Sequence, residues 1–263
     1  MKVVKQDEKK VDKKPEQEVV VKKNTWPIDG LPSRGIFYPE GTVLMGRPLK
    51  VLEIKMLSSM TEETANYVIN DILKRTVTGL PLDQMLVADK LYIVFWLRAN
   101  TYKDSGYKVG FECSKCHQEA KFAFNLDDLT VKDVADDYNP EKILKLKESK
   151  TKLTFTYTTV KDENLVDAFK EKNKSNPMMV IDEDVLSIAS MVDTIDGEDV
   201  TLKTKYEFVT GITAQEYIQM ESYLKETTIG IVPIINVECD VCGGTGPTGI
   251  SFRADFFIPE YTN

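Results

Sequence analysis

The residues in this sequence best suited to chemistry are its four cysteines, which fall in two copies of one pattern, Cys113-Ser114-Lys115-Cys116 and Cys239-Asp240-Val241-Cys242. A strand-like run ending in Glu precedes each pair: Gly110-Phe111-Glu112 in one case, Asn236-Val237-Glu238 in the other. Behind each pair stands a residue suited to a left-handed turn, His117 after the first and Gly243-Gly244 after the second. A second alternating run then follows, Lys121-Phe122-Ala123-Phe124 and Ile250-Ser251-Phe252-Arg253 respectively. Both segments read as zinc knuckles, β-hairpins whose turns present two thiolates. Two thiolates three residues apart grip a tetrahedral ion from one side, and two such grips complete its shell. Cys113, Cys116, Cys239 and Cys242 are therefore the expected ligands of one structural zinc.

Other chemistry for these thiols is weaker on the residues. Four reduced, partly buried cysteines acting as small hydrophobes would leave the repeated pattern unexplained. Disulfides are disfavoured by the lack of a secretory signal, and a redox motif needs one pair at a strand-to-helix junction, where neither pair lies. An iron–sulfur cluster stays open, since it takes the same four thiolates. Hydrolytic metal chemistry would need His117, the one histidine, but its place after Cys116 matches that of Gly243 and points to a turn. Asp127-Asp128 has no convergent His or Ser beside it and reads as a solvated turn. No catalytic residues are expected.

Several elements must position the knuckles. Helical spacing begins near Ser58, with Ala65, Val68, Ile69, Ile72 and Leu73 on one face, and stops at Gly79-Leu80-Pro81. A second helix, from Pro81 or Asp89 to Asn100, is apolar almost all round through Leu91, Ile93, Val94, Phe95, Trp96 and Leu97, which predicts burial on most faces. Beyond the first knuckle, Leu153, Phe155, Tyr157 and Thr159 mark a strand, and Asp162 is expected to cap a helix carrying Leu165, Val166 and Phe169. A helix from about Asp182 to Thr194, a turn at Asp196-Gly197, a strand at Val200-Thr201-Leu202 and a helix capped by Thr213 follow. The second knuckle is entered through a β-rich run, 231–237, and a last strand ends in Phe256-Phe257-Ile258-Pro259. The expected fold class is α+β, with helices packed around a split zinc-ribbon-like module of two CxxC β-hairpins. One module requires the intervening segment to fold back, since otherwise each ion would have only two protein ligands.

The chain divides into three stretches. Residues 1–24 hold eight Lys, five acids and no aromatic residue, a composition that predicts disorder. Their net charge is +3, so the remainder of a chain of net charge -8 stands at -11, and tail and body attract one another or serve different partners. Residues 25–57 are expected to form an extended Pro/Gly-rich arm with Trp26, Ile36, Phe37 and Tyr38 buried against this domain or another subunit. Residues 58–263 form the helical and zinc-ribbon-like domain. The acidic balance argues against a nucleic-acid partner, and only Lys103, Lys108, Lys115, Lys121 and Arg253 are basic near the knuckles. A zinc-ribbon transcription-related protein is the alternative, supported by the Lys-rich tail. There is no apolar run of transmembrane length and no signal peptide, so a soluble cytoplasmic protein is expected.

The segment Leu31-Pro32-Ser33-Arg34-Gly35-Ile36-Phe37-Tyr38-Pro39-Glu40-Gly41, the two helices after it, the cysteine pairs and the closing Phe-Phe-Ile-Pro resemble the baseplate hub and hub-assembly proteins of T-even-type contractile-tailed bacteriophages. The resemblance runs from Trp26 onward, with 132–205 matching only in outline. It implies a non-enzymatic structural or assembly role in the central hub of the tail baseplate. It also implies other baseplate proteins as partners, and a place in the virion or in the infected host's cytoplasm during assembly.

Overall fold

The computed structural model describes residues 24–61, 63–102, 106–174, 181–250 and 257. Most of the Lys-rich tail, and the expected closing strand apart from Phe257, lie outside them; Phe257 itself is helical, not extended.

The arm enters as β1 (Trp26–Pro27), turns, and returns as β2 (Met45–Gly46). Helix α1 (Val51–Ser58) follows directly, so the extended stretch ends at Lys50. Glu53 sits on its first turn and accepts from the Lys50 amide at 2.6 Å and from both Arg47 guanidinium nitrogens at 2.9 and 2.6 Å, which pins the helix to β2. Helix α2 (Ala65–Thr76) runs into β3 (Val77–Thr78), completing a small antiparallel sheet of order β1-β2-β3. Helix α3 (Val87–Thr101) is the spine. Ile93, Val94, Phe95, Trp96 and Leu97 are all buried, as their all-round apolarity requires, and the helix carries buried Asp89, Lys90 and Arg98 as well.

From α3 the chain passes into hairpin β4 (Tyr107–Glu112) and β5 (Glu119–Phe124), then β6 (Val131–Lys132), β7 (Leu144–Lys145) and β8 (Lys152–Phe155). Helices α4 (Val160–Asn173) and α5 (Glu183–Met191) lead to β9 (Val192–Ile195) and β10 (Glu198–Asp199), which form a sheet of order β10-β9-β8-β7. Helices α6 (Leu202–Gly211) and α7 (Ala214–Thr227) come next, then β11 (Gly230–Ile231), which pairs back with β6, and hairpin β12 (Ile234–Glu238) with β13 (Thr245–Gly249). Among the described residues every pairing is antiparallel.

Three buried clusters hold these elements. One joins the arm to α1, α2 and α3 through Ile28, Tyr38, Leu44, Leu57, Leu73 and Trp96. Phe257 closes it at 2% exposure, beside Leu49, Leu57 and Leu73. A second lies under the two hairpins, and a third packs Leu153, Phe155, Leu186, Val192, Tyr206 and Met220 between the β7–β10 sheet and helices α5 to α7.

Four local expectations are corrected. The cap of α4 is Thr159, whose hydroxyl accepts from the Asp162 amide at 3.3 Å while the Asp162 carboxylate accepts from the Thr159 amide at 2.9 Å. Asp162 is thus the reciprocal partner of a capping box. Val192, Asp193 and Thr194 leave the helix for β9, because the left-handed pair Asp196 and Gly197 (φ 51° and 87°) turns the chain into a hairpin. Val200-Thr201-Leu202 opens α6 instead of forming a strand, since the Thr201 hydroxyl accepts from the Thr204 amide. The return strand of the second hairpin is Thr245–Gly249; of the expected run 250–253 only Ile250 is described, and it lies outside the strand. Pro247 is accommodated because a two-stranded sheet leaves each outer edge unpaired.

Candidate metal centre

The two hairpins share the same turn. In the first, the Cys113 amide donates to the Gln118 carbonyl at 3.0 Å and the His117 amide returns to the Cys113 carbonyl at 2.8 Å. In the second, Cys239 donates to Gly244 and Gly243 returns to Cys239, both at 2.8 Å. His117 and Gly243 take the left-handed conformation these closures need, at φ 56° and 63°. The leading cysteine of each pair is buried and the second is half-buried, so each turn delivers one sulfur from below and one from its tip.

The turns face one another. Cys113 Sγ lies 3.6 Å from Cys242 Sγ, and Cys116 Sγ lies 3.7 Å from Cys239 Sγ. All four sulfurs fall within 4.8 Å of one another, and all four cysteines are unbonded. Tetrahedral zinc with Zn–S bonds of about 2.3 Å places its sulfurs about 3.8 Å apart, so the spacing suits a single small ion. Gly244 permits the approach: a Cβ there would stand 3.2 Å from Cys242 Sγ and from Lys115 Cβ, and 3.3 Å from Cys113 Sγ.

The polar surroundings favour negative charge at one sulfur. Backbone amides of Cys116 and Lys115 donate to Cys113 and hold its thiol down at about 6. At Cys116 the Gln118 amide pulls the same way, but the adjoining sulfurs of Cys242, Cys239 and Cys113, together with burial, push it up to about 12. Four sulfurs this close cannot all ionise alone, and a bound cation removes that repulsion. The floor beneath them is apolar and buried, built from Phe111, Phe124, Ile235, Val237 and Ile250, with Phe95 delivered by α3.

The other residues singled out in the sequence do not converge on this site. His117 is largely exposed at 77%, with Nδ1 3.4 Å from Glu112 Oε1. Asp128 accepts from the Asn125 amide at 2.7 Å and closes a single helical turn, and Asp127 beside it is exposed. In the arm, Tyr38 is buried and Phe37 packs edge-on against Tyr138 and Tyr157, whereas Trp26 and Ile36 are exposed on this chain.

Sequence reasoning missed the residue that fastens the arm. Asp89, in the first turn of α3 and fully buried, accepts from the Ser33 amide at 3.0 Å, from the Ser33 hydroxyl at 2.5 Å and from the Tyr38 hydroxyl. Burial pushes its carboxyl up, against the pull of those hydrogen bonds. The available signal was a lone acid inside a helix whose apolarity already predicted burial on most faces.

The model of one protein family, described as T4 bacteriophage base plate protein, matches residues 37–258. No curated protein and no solved structure matches the chain.

Proposed function

From the T4 bacteriophage base plate protein family, to which this chain belongs, we propose a structural or assembly protein of the central hub of the tail baseplate, braced by one zinc on Cys113, Cys116, Cys239 and Cys242. Family membership itself implies a phage baseplate protein located in the virion tail and in contact with other baseplate proteins. Among the described residues no helix is long and apolar enough to cross a membrane.

The observation that carries the zinc reading is the pair of cross-hairpin sulfur distances, 3.6 and 3.7 Å, between turns that are separate in sequence. A four-thiolate zinc would supply cross-linking and no open coordination position, which suits a brace and not a catalyst. On this reading the hairpins are one split zinc-ribbon-like module within a domain spanning 58–263. Residues 25–57 are the arm, extended as far as Lys50 and helical beyond it, whose exposed Ile36 and Trp26 offer surface to neighbouring subunits.

Metal analysis of the purified chain should give one zinc, with four sulfurs in its X-ray absorption spectrum; an oxygen or nitrogen ligand, or no metal, refutes the brace. Cys239→Ser should raise hydrogen exchange around Phe111 and Cys113 as well as in the second hairpin. Unchanged exchange in the first hairpin would exclude a shared ion. Mass spectrometry of purified virions, asking for the chain and its copy number relative to hub proteins, tests the hub assignment separately.

A further inference from the structure

A groove with a cavity of about 390 Å³ lies between the start of α3, residues of 133–142 and 155–158, and the end of α7 with the stretch into β11. That volume is in the range, about 300–1,000 Å³, that encloses a small ligand or a few side chains. Its floor is the half-buried Val87, Ala88 and Leu91 of α3, and Tyr138, Tyr157 and Leu224 wall it. The rim carries the exposed carboxylates of Asp133, Asp137 and Glu226. Asp193 is close enough to push the Tyr138 phenol up, behind burial and Tyr223. The cation lining the groove is Lys142, whose ammonium already lies over the Tyr223 ring at 5.3 Å. An apolar trough edged by negative charge calls for an occupant that is apolar at its centre and basic at its end.

We propose that the occupant is the chain's own N-terminal segment, with Val19-Val20-Val21 over the apolar floor and Lys22-Lys23 against the acidic rim. Residues 1–24 carry a net charge of +3 against -11 for the rest; apolar and basic residues adjoin at Lys2-Val3-Val4-Lys5, at Lys10-Val11 and at Val19–Lys23, and the last has the longest apolar run and stands nearest the arm. The arm brings the segment to the groove. The Val134 amide donates to the Pro32 carbonyl at 2.9 Å and the Tyr92 hydroxyl to the Asp29 carbonyl at 2.9 Å, so the arm passes beside Asp133 on the rim. Val21 stands eight positions before Asp29, an extended reach of up to about 28 Å. A covalent tether of this length holds the segment at an effective concentration of order millimolar, which favours it over a free basic peptide.

The test uses the full chain with a photoreactive benzophenone residue in place of Val20, and a control with it in place of Lys2. Irradiation of the Val20 chain should give cross-links within one chain to α3 near Ala88, to Tyr138 or to the stretch from Leu224 to Ile231. The triple charge reversal Asp133→Lys, Asp137→Lys, Glu226→Lys should lower their yield at least about threefold, and raised salt should act in the same direction. The salt series decides the matter if the triple variant does not fold. Covalent dimers would assign the groove to a second copy and overturn the proposal. Cross-links that map elsewhere, match the Lys2 control or ignore both charge and salt also overturn it.

Discussion

Asp89→Ala should be the most damaging single substitution at the junction between arm and spine. Both hydroxyls that donate to Asp89 already accept a backbone amide: Ser33 Oγ from Gly35 at 3.0 Å and Tyr38 Oη from Leu86 at 3.1 Å. Their protons are therefore committed to the carboxylate, as is the Ser33 amide. Truncation strands three donors in a dry site, each worth about 1–3 kcal/mol when left unpaired. Relief from burying a charge offsets part of this, leaving a net loss of about 3–5 kcal/mol. For a chain of this size that lowers the melting temperature by about 10 °C. Urea unfolding at neutral pH and fixed metal loading measures it, and Asp89→Asn, which keeps the volume and one acceptor oxygen, should lose roughly half as much. Tyr38→Phe should cost about 1–2 kcal/mol in the natural chain and clearly less once Asp89 is Ala, where only the Leu86 amide still loses a partner. A loss below about 1 kcal/mol for Asp89→Ala, or equal Tyr38→Phe penalties in both backgrounds, would refute the clasp.

Three further outcomes follow from particular contacts. Gly244→Ala drives a methyl group toward Cys242 and Cys113, so metal affinity should fall about tenfold in chelator competition while the hairpins keep their circular dichroism. Thr201→Ala removes the hydroxyl that caps α6 and should cost about 1 kcal/mol in urea unfolding. Glu216, buried on α7, accepts from the Ser149 amide and hydroxyl and the Glu148 amide, which hold its carboxyl below the ordinary 4.5. Its stabilisation is thus present above 4.5 and lost as pH falls through the lowered folded value. Glu216→Gln should flatten the acid limb of a stability–pH curve, and an unchanged limb would show that this carboxylate does not contribute.

What the sequence determined by itself is local. CxxC spacing forces two sulfurs to one side of a turn, and a residue tolerant of positive φ must follow, which His117 and Gly243 supply. Helical periodicity identified α2, α3, α5 and α7, and Thr213 was legible as a cap because its partner amide is three residues away. The same kind of signal misled where two local preferences competed. The β-branched Val200 and Thr201 favoured a strand until capping won, and the Gly/Pro-rich Thr245–Gly249 reads as loop unless a facing strand supplies its hydrogen bonds.

Tertiary structure alone decided the rest. The cross-hairpin sulfur pairs are separated by 129 and 123 positions, and Asp89 meets Ser33 and Tyr38 across 56 and 51. Contacts at such distances depend on how α3 and its neighbours pack, a property of many side chains together that no short window of sequence contains. The cysteine pattern specified two half-sites; the burial of Phe95, Phe111, Phe124 and Val237 beneath both hairpins is what brings the halves together.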